Sequence, residues 1–252
     1  AAAFPARVVS LLISDVPGDD LRAIASGPTV GDRVTAQSAL QILQKYRLQL
    51  PPEVLTYLEC DPNPVVLPTD PRLSTTVNHL IAAPQQSLEA AAKAAQALGY
   101  PTLILGSALE GEARQVGIVH AGIARQVVQY SQPIAPPCIL LSGGETTVTV
   151  TGQAGKGGRN SEFLLSLAVA LKGAEKVWAI ACDTDGIDGS ENNAGAIIGP
   201  ASLQQVRDRG RYAAELLAIH DSYTYFQAID ALVETGPTLT NVNDFRAILI
   251  DG

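Results

Sequence analysis

A regular alternation of strand-like and helix-like segments constrains this fold more than any other feature. Apolar runs read as strands over residues 8–14, 77–83 and 102–105, and apolar spacing predicts helices over residues 33–46, 84–98 and 110–130. Pro84 and Gly99 stand where proline favours a helix start and glycine a helix end. This order predicts right-handed crossovers, a mostly parallel sheet and therefore an α/β fold.

The pattern changes after residue 130. Residues 131–137 are proline-rich and indicate a linker, so we predict one domain over residues 1–132 and another over residues 133–252. The second domain begins with two short strands, 138–141 and 146–150, and the Ser-Gly-Gly-Glu between them is typical of a hairpin. The remaining elements predicted are a helix over 162–171, strands over 177–181 and 246–250, and short helices near 201–209, 211–219 and 222–230. We expect the proline-rich residues 51–71 to wrap the surface.

Composition narrows the function classes. The 252 residues are 46% apolar and 17% charged, which allows a sizeable core. The net charge of -8 argues against nucleic acid, which requires a basic face. No apolar run reaches the ~20 residues of a membrane helix, and no secretory signal is present, so we expect a cytoplasmic protein. Because the chain has no methionine and starts almost at once with a strand, we expect a fragment or a processed chain.

A glycine-rich loop at residues 155–160, Gly-Lys-Gly-Gly-Arg-Asn, precedes a predicted helix. Glycines let backbone N–H groups approach an anion, and a helix start offers unpaired donors. Lys156 and Arg159 add full positive charges. The spacing is neither that of a P-loop nor that of a dinucleotide fingerprint. A flexible connection with solvated charges is the alternative interpretation.

A second polar loop contains Asp183, Asp185 and Asp188 and follows a buried strand. Open α/β sheets bind ligands at such strand ends. Carboxylates at this spacing could hold Mg²⁺ together with water and phosphate. Two ordinary Asp-Gly turns would give the same sequence.

Two more loops are candidates by position. Asp15 comes directly after the first strand, and its segment could equally be an acidic turn before a helix. Asn241 and Asn243 lie in a polar stretch before the last strand and could hydrogen-bond a ligand or form a turn. The histidines are predicted to be structural, since His79 lies in a strand pattern and His120 in a helix pattern. His220-Asp221-Ser222 does not make a triad by sequence alone, because a triad is defined by geometry. Asp221 or Ser222 would then cap the next helix, and Trp178 would lie in the core.

Seven segments, in order, resemble the glycerate 2-kinase family, whose members carry a MOFRL domain. They are residues 14–20, 24–29, 109–113, 142–147, 157–160, 184–189 and 240–244. The resemblance implies two α/β domains: an incomplete Rossmann-like parallel-sheet domain over residues 1–132 and a mixed-sheet MOFRL domain over residues 133–252. The family's N-terminal portion, with a lysine thought to serve catalysis, has no counterpart here.

The family transfers the γ-phosphoryl group of ATP to the 2-hydroxyl of (R)-glycerate with a divalent metal, so the resemblance implies ATP, Mg²⁺ and glycerate as ligands. The implied catalytic residues are Arg159, Asp185 and Asp15, with Asp15 reaching the site from the other domain. Asp185 and Asp183 are the implied metal ligands. The implied substrate- or nucleotide-binding residues are Gly143, Gly144, Lys156, Gly157, Gly158, Asn160, Asn241 and Asn243. A homodimer is one expectation for the oligomeric state.

Two other functions are compatible with the sequence. Some relatives of the family carry a hydroxypyruvate reductase label, although no dinucleotide fingerprint is present. A non-catalytic module that binds phosphate or a nucleotide would use the same loops.

Overall fold

The structure, a computed structural model, describes residues 1–60, 65–152 and 154–252. Its strands are β1 (Val8–Ile13), β2 (Thr76–Ala82), β3 (Thr102–Gly106), β4 (Gly111–Glu112), β5 (Cys138–Gly144), β6 (Thr146–Thr147), β7 (Val177–Asp183), β8 (Gly195–Ile198), β9 (Leu232–Val233) and β10 (Asp244–Ile250). Its α-helices are α1 (Ala36–Lys45), α2 (Pro52–Cys60), α3 (Pro84–Ala97), α4 (Ala113–Tyr130), α5 (Arg159–Leu171), α6 (Ser202–Asp208), α7 (Ala213–Ala218) and α8 (Ser222–Ala228).

The chain forms two compact units. The smaller consists of Ala1–Leu12 and Asp20–Ile81, and the larger of Ile13–Asp19 and Ala82–Gly252. The smaller unit contains α1, α2 and most of the two-stranded β1–β2 sheet. These units do not test the predicted domain boundary near residue 132, which stays a prediction.

The larger unit is built on a six-stranded sheet in the order β3-β5-β10-β7-β8-β9. Within this sheet β3 and β5 pair in parallel, and the other neighbours are antiparallel. The apolar side chains of α4 and α5 pack into one core with this sheet. The α/β class and the mixed sheet are thus confirmed.

The predicted hairpin at residues 142–145 is wrong. β5 continues through Gly143 to Gly144, which pairs with Asp244 on β10. β6 pairs with β4 and not with β5. Gly144 has φ of 119°, and a Cβ atom there would lie 2.2 Å from the backbone nitrogen of Leu109. Gly144 therefore accommodates the passing backbone of Leu109, and the glycine pair does not form the tip of a turn.

Other predictions differ from the structure in detail. Part of the proline-rich segment forms α2, although residues 61–64 lie outside the described part of the chain. The short strands β8 and β9 were not predicted. Trp178 is 37% exposed and is not a core residue, because β7 alternates its side chains between a buried and an open face. No helix in the described part of the chain is long and apolar enough to cross a membrane.

Candidate active site

The glycine-rich loop before α5 is held by the chain itself. The backbone N–H groups of Gly155, Lys156, Gly157 and Gly158 all donate to acceptors in the protein, as far as the described residues show. A Cβ atom on Gly158 would lie 2.0 Å from the carbonyl oxygen of Asp188. Close packing therefore explains this glycine without a phosphate. Gln153, which belongs to the same predicted loop, lies outside the described residues.

Asp188 occupies the N-terminus of α5. Its two carboxylate oxygens accept the backbone N–H groups of Asn160 and Ser161, each at 2.8 Å. The side chain is fully buried, and burial raises its pKa. A carboxylate at this position satisfies the unpaired donors and the positive end of the helix. The expectation of free donors for an external anion at this helix start is therefore wrong.

Arg159, the first residue of α5, connects three carboxylates from three segments. Its Nη2 donates to Asp183 at 2.6 Å, its Nε to Asp244 at 2.8 Å and its Nη1 to Glu145 at 3.0 Å. The Arg159 side chain remains 24% exposed. The guanidinium is thus fixed in position but still accessible to a ligand.

Asp183 ends β7 directly opposite Asp244 on β10. Burial raises the pKa of Asp183 to about 6, and the N–H of Asp185 and the charge of Arg159 act in the opposite direction. The short contact with Arg159 favours the ionised carboxylate, but the side chain of Asp183 is only 5% exposed and has little access to water. The direction of the shift follows from this burial.

Arg159 and Asp183 line a cavity of about 330 Å³, which we call the Arg159 cavity. Gly157, Gly158 and Thr146 also line it, and Val148 and Val150 give it an apolar wall. Opposite charges and an apolar surface in one concave site are typical of small-molecule binding sites.

Asp15, Asp185 and Asn241 line a different cavity of about 540 Å³, which we call the Asp185 cavity. The Asp185 Oδ1 accepts the N–H of Ile187 at 2.8 Å. Within the described residues, the other oxygen of Asp185 and both side-chain oxygens of Asp15 have no hydrogen-bond partner. Those residues also contain no group of three or more His, Cys, Asp or Glu side chains arranged to hold a metal ion.

The predicted residues are therefore divided among several places. Asn243 is buried and donates through Nδ2 to the backbone oxygen of Asp15 at 2.6 Å, so these two loops do meet within the larger unit. Asn160 is buried and donates to Asp244 at 2.7 Å. Lys156 is exposed and pairs with Glu191 at 3.3 Å. Gly143 and Gly144 lie in β5, as described above.

The His220-Asp221-Ser222 sequence forms no triad. The carboxylate of Asp221 accepts the N–H of Lys156 at 3.1 Å, and the hydroxyl of Ser222 donates to Ser161 at 3.0 Å. Asp221 stands at the N-cap position of α8, as predicted, but its side chain makes no capping hydrogen bond to that helix. His220 Nδ1 lies 3.0 Å from the buried carboxylate of Glu162, and both residues line the Arg159 cavity.

Three site residues were not singled out from the sequence: Glu145, Asp244 and Arg246. Glu145 and Asp244 stand inside the motifs that carry the family resemblance, so a closer reading of those motifs could have identified them. Arg246 had one signal, because an arginine stands at the start of an otherwise apolar predicted strand.

Family models match two parts of the chain: the MOFRL family over residues 138–244, and a domain of unknown function, DUF4147, over residues 1–59. A relative in Agrobacterium vitis named "Putative hydroxypyruvate reductase" is 54% identical over 99% of this chain and 56% of its own length. The glycerate 2-kinase of Pyrococcus horikoshii is 40% identical over 96% of this chain and 56% of its own. The glycerate kinase of Macaca fascicularis is 33% identical over 99% of this chain and 74% of its own.

This chain belongs to the glycerate kinase family. The crystal structure of the Thermotoga maritima glycerate kinase superposes with a TM-score of 0.88 at 38% identity, covering 98% of this chain and 58% of that protein. The family assignment thus rests on both sequence and fold. The chain spans only 56% of the Agrobacterium vitis relative.

Proposed function

We propose that the full-length protein containing this chain transfers the γ-phosphoryl group of ATP to the 2-hydroxyl of (R)-glycerate, giving 2-phosphoglycerate and ADP. The observation that carries this proposal is the position of Arg159. Its guanidinium is fixed by three carboxylates yet remains accessible in a cavity. Phosphoryl transfer depends mainly on such positioned charge, since the protein performs little covalent chemistry.

The charges around Arg159 support a divalent metal as part of the reaction. Arg159 and Arg246 bring two positive charges to a cluster in which Glu145, Asp183 and Asp244 bring three negative ones. A polyphosphate approaching this cluster would meet net repulsion unless a cation came with it. Mg²⁺ bound to the ATP phosphates would supply that charge.

The Asp185 cavity suits the carboxylate roles of the reaction. Magnesium keeps several waters and binds through one or two carboxylates, so Asp185, with Asp183 or Asp15, would be sufficient. Because Asp183 is already bound to Arg159, Asp185 is the stronger candidate. Asp15 or Asp185 would accept the proton of the 2-hydroxyl as its oxygen forms a bond to phosphorus and the bond to ADP breaks. Asn241 would orient the substrate.

Other predicted binding roles have less support. Asn160 and Asn243 are buried and already hydrogen-bonded within the protein. They would therefore hold the neighbouring loops in place and would not contact the ligand. Gly143, Gly144, Gly157 and Gly158 would shape the site through close packing. Lys156 would act from the surface. A cytoplasmic location and a homodimer stay predictions.

The test is ³¹P NMR on the full-length protein in a buffer containing Mg²⁺, with ATP alone, with ATP and (R)-glycerate, and with both plus excess EDTA. We expect ADP and 2-phosphoglycerate only in the second sample. The phosphorus resonance distinguishes the 2- from the 3-phosphate product. Absence of glycerate-dependent ADP formation would refute the proposal and leave the non-catalytic binding module as the better interpretation.

The name of the Agrobacterium vitis relative favours one second candidate, a hydroxypyruvate reductase. This activity needs no ATP and oxidises NADH or NADPH. Loss of absorbance at the nicotinamide band with hydroxypyruvate, in the absence of ATP, would support it. We expect no such loss.

A further inference from the structure

Arg246 is an arginine in the core of the larger unit. It lies on β10, its side chain is 0% exposed, and its guanidinium lies 5.0 Å above the ring of Phe163. Nη1 donates to the carbonyl oxygen of Gly143 at 3.3 Å, and Nη2 donates to the hydroxyl of Thr146 at 3.2 Å and to Asp244. Burying a charge is costly even when it is paired, so this position requires an explanation.

Asp244 connects this buried arginine to Arg159. Its Oδ2 faces the interior, where it accepts hydrogen bonds from Arg246 and from the N–H and hydroxyl of Thr146, both at 3.1 Å. Its Oδ1 faces the opposite way and accepts from Arg159 Nε at 2.8 Å and Asn160 Nδ2 at 2.7 Å. One fully buried carboxylate is thus shared between two guanidinium groups.

The sheet fixes this arrangement. β10 is a central strand, and Asp244 has Gly144 on one side and Asp183 on the other. The two carboxylates that hold Arg159 most closely are therefore cross-strand neighbours. Two neighbouring carboxylates repel each other, and a second positive charge on the buried side reduces that repulsion.

We propose that Arg246 is a positioning residue for Arg159 in the reaction proposed above. It neutralises Asp244 from the buried side and locks the carboxylate so that Oδ1 points at Arg159 Nε. Because Asp244 is neutralised in this way, less of the charge of Arg159 is offset. Nη1 and Nη2 each donate one N–H, to Glu145 and Asp183, and the second N–H of each can interact with an anionic ligand. The inference rests on the proposed kinase function only for its activity readout.

A purely structural role would not require arginine. Well-packed apolar side chains often replace buried ion pairs at no loss of stability. Arg246 Nε has no hydrogen-bond partner among the described residues, so the side chain is not even fully satisfied by its surroundings. The charge directed at Asp244 is the feature that an apolar residue could not supply.

We call the action of Arg246 on Arg159 through Asp244 the relay. A double-mutant cycle tests it in the full-length protein, with Arg246→Lys, Arg159→Lys and the double variant. We expect kcat to fall ~10-fold for Arg246→Lys and ~100-fold for Arg159→Lys, and the double variant to match Arg159→Lys within ~3-fold. Arg125→Lys is the control, since Arg125 is exposed and, among the described residues, donates only to the Ala170 carbonyl. Effects that multiply to ~1000-fold would overturn the relay.

A second readout does not depend on turnover. The hydrogen bond to Asp244 should protect the Arg159 Nε–H from solvent exchange, which ¹⁵N-edited NMR measures directly. We expect Arg246→Lys to speed this exchange by ~10-fold or more while Arg125→Lys leaves it unchanged. Unchanged exchange in a folded Arg246→Lys protein would refute the relay, whatever the activity.

A milder variant covers the case in which Arg246→Lys does not fold. Thr146→Val removes the hydroxyl that bonds both Asp244 and Arg246, and the relay predicts faster Arg159 Nε–H exchange there too. Wild-type exchange in Thr146→Val would then overturn it. A wild-type protein without glycerate-dependent ADP formation would refute the proposed function, whereas the exchange experiment still decides on the relay.

Discussion

The Arg159 cavity and the Asp185 cavity differ in how their charges are compensated. In the Arg159 cavity each main charge already has a partner, as Arg159 and Asp183 do at 2.6 Å. In the Asp185 cavity, the side chain of Asp15 and one carboxylate oxygen of Asp185 have no hydrogen-bond partner among the described residues. Asp183 in the first cavity and Asp185 in the second are only two positions apart in the sequence. β7 ends at Asp183, and the chain then turns, so that Asp185 faces the other cavity.

This difference separates preorganised charge from charge that awaits a ligand. A charge held by several hydrogen bonds stays in one orientation. Transition-state stabilisation requires such a fixed charge, because the charge then needs no reorientation during the reaction. Unpaired carboxylates in an open cavity can exchange water for a cation or accept a proton. We therefore expect changes in the Arg159 cavity to affect stability and activity, and changes in the Asp185 cavity to affect activity alone.

Replacing Arg159 should have the largest effect. Arg159→Ala removes the positioned charge, so we expect kcat for glycerate phosphorylation to fall by ~10²–10⁴-fold. It also removes the ion pair of buried Asp183 and one of the two ion pairs of Asp244, so the midpoint of urea unfolding should fall as well. The measurements are steady-state kinetics and urea titration, with Arg125→Ala as the control. Wild-type turnover by Arg159→Ala would remove Arg159 from the proposed chemistry.

Replacing Asp185 should separate function from stability. Asp185→Asn keeps the acceptor for the N–H of Ile187 but removes the charge, so we expect kcat/KM to fall ~10–100-fold and the Mg²⁺ requirement to rise. The free energy of unfolding should change by less than about 0.5 kcal/mol. Magnesium titrations of activity and urea unfolding measure the two effects. A large loss of stability would contradict the division between the two cavities.

The sequence predicted the class of fold because apolar periodicity and helix-end residues are local signals. It missed β8 and β9, which are short and gain their stability from pairing with β7 and with each other. It mistook Gly143-Gly144 for a turn, because a glycine needed for close approach and a glycine needed for a turn look alike in sequence.

The site was predicted only in part, because its contacts are not local in the sequence. Motifs identified Arg159, but nothing local shows that its partners would be Glu145, Asp183 and Asp244. Those contacts depend on which strands are neighbours. Asp188 is a second example. Its carboxylate accepts the first N–H groups of α5, but a carboxylate that binds a metal would look the same in the sequence.

The last expected effect concerns stability alone and is the pH dependence caused by Asp183. Its pKa is raised to about 6 by burial, above the ordinary 3.8. Between these two values the folded protein binds more protons at this site than the unfolded chain does. The free energy of unfolding contributed by Asp183 therefore falls as pH rises from about 4 to above 6, by about 1–3 kcal/mol.

Asp183→Asn removes this titration, so its unfolding free energy should lose less between pH 4 and pH 7 than that of the wild type. Urea unfolding at both pH values gives the change in unfolding free energy for the wild type and for Asp183→Asn. The two changes are compared with each other because other groups also titrate in this range. Asp208→Asn, which removes an exposed carboxylate at the end of α6, should keep the wild-type difference. If Asp183→Asn instead loses more stability than the wild type over this range, the ion pair with Arg159 outweighs burial. Asp183 would then be a permanently charged anchor in the Arg159 cavity.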